Sequence, residues 1–261
     1  MRSKAQLGRA QRSVFREKLR IAKKLSKDLR RELGANVIAI GVVGSVARGR
    51  AEKYSDIDME IIVKRGIPES YQARIVENTY CSLTFATRSV AIQEIAQPRP
   101  DLPERLGGFT KILRLYDPEA LLTMLETRAN HVPRHLFIKS AKLALLHSYE
   151  DFCRVKNAYL NGDDVVLRDN VFNVTHSAAL VTASLNNAPF ASDRNIFKAY
   201  KRFDSLPRRF QRIEELRYGC LKRGKLFRTL VSFYLDLVDF CEKEDVQLPV
   251  DRQTLQEWSL R

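Results

Sequence analysis

The chain has 261 residues, 44% of them apolar, which is enough to bury the core of one large domain or two ordinary ones. No stretch is long and apolar enough to span a bilayer, and no apolar run follows the basic N-terminus as it would in a secretory signal. The formal net charge of +14 favours nucleotides or nucleic acid as partners. Solvated basic helix faces explain the charge equally well.

The cysteines and histidines predict neither a disulfide framework nor a zinc site. The pair His131 and His135 has helical spacing, but Pro133 lies between the two and no acidic third ligand is near. The scattered cysteines are expected to be buried or half-buried thiols of a cytoplasmic protein. These cysteines are Cys81, Cys153, Cys220 and Cys241.

In the first half of the chain, helical and strand patterns alternate. An amphipathic basic helix is predicted first, at 9–33, and Gly34 ends it. The β-branched and apolar runs that follow predict three strands, at 37–43, 56–63 and 79–85. The remaining predictions are a helix at 89–96, a Pro/Gly-rich loop at 98–108, and a strand running into a helix at 110–128, entered at Asp117-Pro118.

The second half shows almost no strand pattern. A polar break at 128–133 separates it from the first half, and turn residues punctuate the periodic segments that follow. Helices are predicted at 135–160, 168–186, 191–204, 206–220 and 223–243. The fold class is therefore α+β, a mixed β-sheet domain over 1–130 followed by an all-helical C-terminal domain over 131–261.

The segment at 44–58, GSVARGRAEKYSDID, carries the chemistry. Asp56 and Asp58 lie two apart at the start of a predicted strand, so their side chains point to the same face. Two adjacent carboxylates repel each other unless a cation lies between them, and Mg²⁺ is the hard cation that binds carboxylates and phosphates together. Gly44 and Ser45 follow a buried strand, at a turn suited to an anion such as a triphosphate. This combination indicates nucleotidyl or phosphoryl transfer.

The Gly-Ser pair, the ten residues after it and the Asp-x-Asp pair resemble the signature of the polymerase-β-like nucleotidyltransferase superfamily. The helical half, above all HSYEDFCRVKN at 147–157 and the run at 171–210, is most similar to kanamycin nucleotidyltransferases. Leu115-Tyr116-Asp117 also stands in the matching place before the last helix of the first half. The resemblance covers nearly the whole chain.

The resemblance implies a role for particular residues. Asp56 and Asp58 would bind Mg²⁺, and Glu150 would be the general base that deprotonates the acceptor hydroxyl. The residues that would bind the nucleotide are Gly44, Ser45, Arg48, Ser55 and Arg154. Without the resemblance, Glu150 and Arg154 are simply an i,i+4 pair on a helix surface. The resemblance also implies a homodimer, in which the helical domain binds substrate and supplies the base to the partner's metal site.

The sequence departs from the family in two places. The third strand of the family carries a carboxylate near the metal, whereas the matching residue here is Ser82, with Thr84 two residues on. Glu77 precedes that strand. Acidic residues that precede the base in the kanamycin enzymes are replaced here by Leu146 and His147. The first departure implies a single metal or reduced activity, and the second disfavours a polycationic acceptor.

The function expected from these observations is transfer of a nucleoside monophosphate from an NTP such as ATP to an acceptor hydroxyl, with Mg²⁺ as cofactor and pyrophosphate as product. The acceptor is either a small molecule such as an aminoglycoside, or tRNA or a protein. A different class stays open, namely a non-catalytic nucleotide-binding or antitoxin-like protein that retains the fold. Ser82 favours this alternative, and the intact Ser45, Asp56 and Asp58 oppose it.

Overall fold

The computed structural model describes residues 4–65, 67, 69–190, 196–197 and 199–250, with side chains described from residue 11 on. The chain divides into two compact units. The N-terminal unit comprises residues 1–96 and 105–132, and the C-terminal unit comprises 97–104 and 133–261. Helix α4, Leu102–Phe109, spans this division.

The N-terminal unit is a five-stranded mixed sheet with helices. Its elements in chain order are α1 (Lys4–Leu33), β1 (Val37–Val42), α2 (Gly44–Ala47), β2 (Ile57–Val63), β3 (Tyr71–Val76), β4 (Thr79–Thr87), α3 (Arg88–Ala96), β5 (Leu113–Tyr116) and α5 (Leu121–Ala129). The strand order is β3-β4-β2-β1-β5. Strands β2 and β4 are parallel, and the other neighbours are antiparallel.

One face of this sheet is covered by α1. The helix turns a stripe of apolar residues to the sheet, at Ile21, Ala22, Leu25 and Leu29, all of them buried. Full burial of a side chain of this size contributes about 1.5–3 kcal/mol, so this stripe holds the helix in place. The opposite side of α1 carries exposed basic residues, whereas Lys18 is buried and donates to the hydroxyl of Thr79.

In β2 and β4, apolar side chains lie on one face of the sheet and polar side chains lie on the other. Ile57 and Met59 of β2 and Cys81 and Leu83 of β4 pack in the core beneath α1. Because successive residues alternate, the polar residues between them point to the other face. That face, which we call the polar face, carries the candidate site.

The C-terminal unit is helical. Beyond α4, its helices are α6 (Arg134–Asn161), α7 (Asp164–Leu185), α8 (Ile213–Tyr218) and α9 (Arg223–Glu242), with short 3₁₀ turns at Tyr200–Arg202 and Phe210–Arg212. Asp163 caps α7 by accepting hydrogen bonds from the backbone N–H groups of Val165 and Val166. Phe152 stacks on Tyr234, with ring centroids 4.2 Å apart, so α6 and α9 share a core.

The fold class is confirmed, but several element predictions are wrong. The segment 98–108 contains α4 rather than a loop alone, and β3 was not predicted. Helix α5 begins at Leu121 instead of Pro118, although Asp117 still accepts hydrogen bonds from the first-turn N–H groups of Leu122 and Thr123. Within 206–220 only a 3₁₀ turn and a two-turn helix form. In the predicted helix at 191–204, residues 191–195 and 198 lie outside the described residues, and the described part contains the 3₁₀ turn Tyr200–Arg202.

All four cysteines are free thiols, as expected, but Cys220 is exposed rather than buried or half-buried. Among the described residues, no helix has the length and apolarity needed to cross a membrane.

Candidate nucleotide site

The turn after β1 is shaped around a carboxylate. Gly44 has a φ of +67°, the left-handed region that glycine adopts without steric cost. A Cβ at this position would collide with Oδ2 of Asp58. The backbone N–H of Val43 also donates to the carbonyl of Asp58, at 2.9 Å. The turn and the second aspartate are therefore held against each other, and only glycine fits between them.

Ser45 follows in this turn, and its hydroxyl oxygen is buried without a hydrogen-bond partner among the described residues. The Ser45 carbonyl accepts from the N–H of Arg50 at 2.9 Å, which fixes the backbone of the turn. Buried hydroxyls are nearly always hydrogen-bonded in folded proteins. A bound phosphate and its metal ion would give the Ser45 Oγ a hydrogen-bond partner and would neutralise the charge of the nearby carboxylate.

Asp56 and Asp58 lie at the start of β2, on the polar face. Asp56 is exposed just before the strand, whereas Asp58 is half-buried within it. Burial and, to a smaller extent, the charge of Asp56 raise the pKa of Asp58 from 3.8 to about 6, against the opposing effect of Arg48. A cation between the two carboxylates would remove both the desolvation penalty and the repulsion.

Glu60 is a third carboxylate on the same face of β2, and the sequence analysis did not identify it. Burial raises its pKa to about 8, with further contributions from the charges of Glu94 and Asp58, so the side chain is largely protonated near neutral pH. The sequence contains the signal for it, because Glu60 lies two residues after Asp58 and so shares the face of Asp56 and Asp58 in the predicted strand. Its pairing partners are Gly41 and Thr84, one step deeper in the sheet than the pair of aspartates.

The neighbouring strand supplies no carboxylate. In the parallel pairing of β2 and β4, Asp58 is opposite Ser82 and Glu60 is opposite Thr84. Glu77 lies in the turn between β3 and β4, where it accepts hydrogen bonds from Arg20 and Lys24 of α1. These bonds lower the pKa of Glu77 and bind it to the helix that covers the other sheet face.

Arg48 is half-buried at the end of α2, and its guanidinium donates to two backbone carbonyls. It bonds the Gly44 carbonyl at 2.8 Å and the Gly107 carbonyl in α4. Burial lowers its pKa, and the charge of Asp58 opposes this shift. Arg48 thus ties the Gly44 turn to α4 and keeps a positive charge in electrostatic range of the aspartates.

Ser55, also expected to contact nucleotide, closes a tight turn before Asp56. Its Oγ accepts from the N–H of Glu52 at 2.9 Å, and its own N–H donates to the Glu52 carbonyl. The turn sets the direction in which the chain enters β2.

Glu150 and Arg154 belong to the C-terminal unit, on α6. Arg154 donates to Glu150 at 2.6 Å, and both side chains are more than half exposed. Leu146 is half-buried and His147 is exposed, one helical turn before this pair. The two predicted residues lie together on the surface of α6. Arg154, but not Glu150, also lines a concave region of about 250 Å³.

The donor set fits a magnesium ion held with a nucleotide. No cluster of three or more His, Cys, Asp or Glu side chains arranged for a metal occurs in the part of the chain that the structure describes. Mg²⁺ is commonly bound by one or two carboxylates, with substrate phosphates completing its shell. Asp56 and Asp58 supply such a pair, next to the unpaired hydroxyl of Ser45.

Comparison with known proteins agrees with this geometry. Residues 22–107 match the family described as nucleotidyltransferase domain. This stretch contains the C-terminal part of α1, the Gly44 turn and both aspartates. This part of the chain is therefore similar to nucleotidyltransferase domains. The resemblance expected from the sequence, and with it the assignment to the transferases of phosphorus-containing groups, is thereby confirmed.

Curated relatives extend the similarity to the helical half of this chain. Aminoglycoside nucleotidyltransferase (4′) from Staphylococcus aureus is 19% identical over 240 residues, covering 91% of this chain and 95% of the relative. A protein of the same name from a Bacillus species gives the same values. A nucleotidyltransferase-like protein from Exiguobacterium sibiricum 255-15 has the same fold, with a TM-score of 0.54 at 12% identity over 85% of this chain and 75% of that one.

Proposed function

We propose that this protein transfers a nucleoside monophosphate from an NTP to an acceptor hydroxyl in a Mg²⁺-dependent reaction that releases pyrophosphate. The observation that carries the proposal is the contact between the Gly44 turn and Asp58. It puts an unpaired buried hydroxyl, that of Ser45, beside two carboxylates that lie close to each other.

Each element of the site has a role in this reaction. Asp56 and Asp58 would bind Mg²⁺, which supplies charge neutralisation at the phosphates of the bound NTP. The Ser45 hydroxyl and the Gly44 turn would hold the triphosphate, and Ser55 would fix the entry to β2. The positive charge of Arg48 would stabilise the charge that develops on the leaving pyrophosphate.

The general base is proposed to be Glu150, with Arg154 contacting the nucleotide. Support comes from the full-length similarity to the aminoglycoside nucleotidyltransferases and from the exposure of both side chains on α6.

Glu150→Gln should lower the rate of the chemical step about 10²–10⁴-fold, the range for loss of general base catalysis. The affinity for NTP should stay near that of the parent. Glu215→Gln is a matched control, because Glu215 is a partly exposed helix glutamate of the same unit that also pairs with a basic residue. Rapid-quench measurement of a single turnover gives the rate, and equal rates for the two variants would remove Glu150 from the mechanism.

A homodimer is proposed on the exposed apolar side chains of the C-terminal unit. Three of them, Leu160, Val165 and Val166, lie at the end of α6 and the start of α7, and Phe172 lies two turns further along α7. Exposed apolar clusters of this kind are typical of interfaces. Light scattering at micromolar concentration should give twice the mass of the chain, and a monomer there would contradict the dimer.

The function is tested by incubation with each α-³²P-labelled NTP and Mg²⁺, with RNA, protein extract or aminoglycosides as acceptors. Label should reach one acceptor fraction, and Asp56→Asn and Asp58→Asn should abolish transfer. Glu52→Gln is the matched control, since Glu52 is an exposed carboxylate in the same loop. NTP binding without transfer to any acceptor, in parent and variants alike, would instead favour a non-catalytic nucleotide-binding protein, the reading that Ser82 supports.

A further inference from the structure

The polar face of the sheet continues beyond the aspartates into an exposed aromatic surface. Tyr80 lies on β4 two residues before Ser82 and therefore shares its face. Ile75 pairs with Tyr80, and Tyr71 pairs with Thr84, in the antiparallel pairing of β3 with β4. These three side chains are 52% (Tyr71), 78% (Ile75) and 45% (Tyr80) exposed, which is unusual for large apolar groups beside a polar site.

The two tyrosines form one structural unit. Their hydroxyl oxygens are 2.8 Å apart, within hydrogen-bonding distance. Their backbones are separated along the strands, with Ala73 opposite Ser82 between them. The two rings therefore extend towards each other above Ala73 and Ser82. The hydrogen bond between their hydroxyls fixes the orientation of the solvent-exposed rings. The pKa of Tyr80 is raised, first by this hydrogen bond and further by the charges of Asp56 and Asp58, so the tyrosine lies in electrostatic range of both carboxylates.

The position of this surface in the strand order gives it a role in the proposed reaction. The Gly44 turn follows β1, on one side of β2, whereas β4 and β3 lie on the other side. In nucleotidyl transfer the attacking oxygen and the leaving oxygen are roughly in line through the α-phosphorus. With the leaving pyrophosphate held at the Gly44 turn and the α-phosphate at the aspartates of β2, the acceptor must approach over β4 and β3.

The side chains on β3 and β4 determine which kind of acceptor can bind there. No carboxylate of β3 or β4 faces it, so nothing on these strands attracts a polycation. An exposed aromatic surface instead stacks planar rings, and stacking of a nucleobase on an aromatic side chain contributes about 1–3 kcal/mol per base. The loop that leads into Asp56 adds two exposed basic residues, Arg50 and Lys53. Both side chains are exposed to solvent.

We propose that Tyr71 and Tyr80 form the acceptor platform, and that the acceptor is the 3′-terminal nucleoside of a single-stranded nucleic acid, with its base stacked on this pair. The inference rests on the proposed nucleotidyl transfer. In the reaction, the terminal 3′-oxygen forms a bond to the α-phosphorus of the NTP while the bond from that phosphorus to the bridging oxygen of pyrophosphate breaks. The hydroxyl proton passes to the carboxylate base, and the strand grows by one nucleotide.

The direct test measures binding of 5′-fluorescein-labelled RNA and DNA strands of about twelve unstructured nucleotides by fluorescence anisotropy. The double variant Tyr71→Ala/Tyr80→Ala should bind the strands about 5- to 100-fold more weakly than the parent. The double variant Tyr71→Phe/Tyr80→Phe keeps both rings and should stay within a few-fold of the parent. Tyr218→Ala is the matched control, because Tyr218 is a 66% exposed tyrosine in the C-terminal unit.

The same variants are then tested for transfer from α-³²P NTP to strands with a free 3′-hydroxyl. Alkaline digestion of the labelled RNA should move the label to the former terminal nucleotide, which identifies the 3′-oxygen as the attacking atom. The alanine pair should raise the KM for the strand, while NTP affinity, measured by titration calorimetry, stays at the parental value.

Three outcomes overturn the platform, and they are distinguishable from failure of the function itself. Label that enters kanamycin or a protein but no strand leaves nucleotidyl transfer standing and removes the nucleic-acid acceptor. Equal strand binding by parent and alanine pair removes the two tyrosines. An equal loss of NTP affinity in the alanine pair assigns the surface to the base of the NTP. Absence of transfer to any acceptor contradicts the proposed function instead.

Discussion

Replacement of Asp58 by asparagine should make the unliganded protein more stable while it removes activity. In the folded chain, burial and the charge of Asp56 raise the pKa of Asp58 from 3.8 to about 6. The folded state thus binds this proton more tightly than the unfolded state, and ionisation of Asp58 costs stability. The cost begins as the pH rises through the unfolded pKa of 3.8, grows until the pH passes the folded pKa of about 6, and is constant above that.

The size of the effect follows from the shift. About two pKa units at 1.36 kcal/mol each give an upper limit of about 3 kcal/mol, and partial exposure of the side chain reduces this to about 1–3 kcal/mol. Asparagine has nearly the same shape and no charge, so the variant escapes this cost. Its melting temperature should exceed that of the parent by about 3–10 °C near pH 8 and should equal it near pH 4.

The assay is thermal unfolding followed by far-UV circular dichroism across this pH range, with and without millimolar Mg²⁺ and NTP. Metal and nucleotide should raise the melting temperature of the parent more than that of the variant, since only the parent has the charge they neutralise. Asp204→Asn controls for removal of an exposed aspartate. A variant that is less stable than the parent at pH 8, or equally stabilised by Mg²⁺ and NTP, would refute the reasoning.

Three further substitutions test the turn and the C-terminal core. Gly44→Ala should abolish NTP binding in calorimetry, because a Cβ collides with the neighbouring carboxylate at a residue whose φ is positive, and parental affinity would mean that the turn can shift freely. Arg48→Ala should weaken NTP binding about 10- to 100-fold, the range for loss of a charged hydrogen-bonding group, and unchanged affinity would make Arg48 purely structural. Arg209→Ala should destabilise the fold by about 3 kcal/mol in urea unfolding, because it leaves the buried carboxylate of Asp236 without the arginine that donates to both its oxygens. Arg208→Ala is the control, and an equal effect of the two arginine variants would contradict this assignment.

The sequence alone predicts the parts of the site that depend on local pattern. Strand alternation places Asp56 and Asp58 on one face and Ile57 and Met59 on the other, and the structure has Ile57 and Met59 in the core beneath α1. The identity of Gly44 follows from the need for a sharp turn between two strands. Such features extend over a few residues, so the backbone geometry of the segment is enough to fix them.

The sequence did not predict β3 or α4, because the local residue pattern of each segment is not typical of the element that it forms. Strand β3 was missed because its large apolar residues, including Tyr71 and Ile75, lie on its exposed face. None of its residues is fully buried, so the strand lacks the usual alternation of buried apolar and exposed polar residues. Helix α4 was missed because it contains Pro103, Gly107 and Gly108, all poor helix formers. Burial of the apolar side chains of α4 outweighs that propensity.

What only the tertiary structure decides is which distant residues meet. Pairing of β2 with β4 sets Asp58 opposite Ser82, and pairing of β3 with β4 brings the hydroxyls of Tyr71 and Tyr80 together. Arg48 bonds a carbonyl 59 residues away in α4. Strand register and side-chain burial depend on the packing of the whole unit, and the sequence of any one segment carries no record of its partner. The sequence therefore predicted the candidate site residues, and the fold determined their burial, their pKa shifts and the surface beside them.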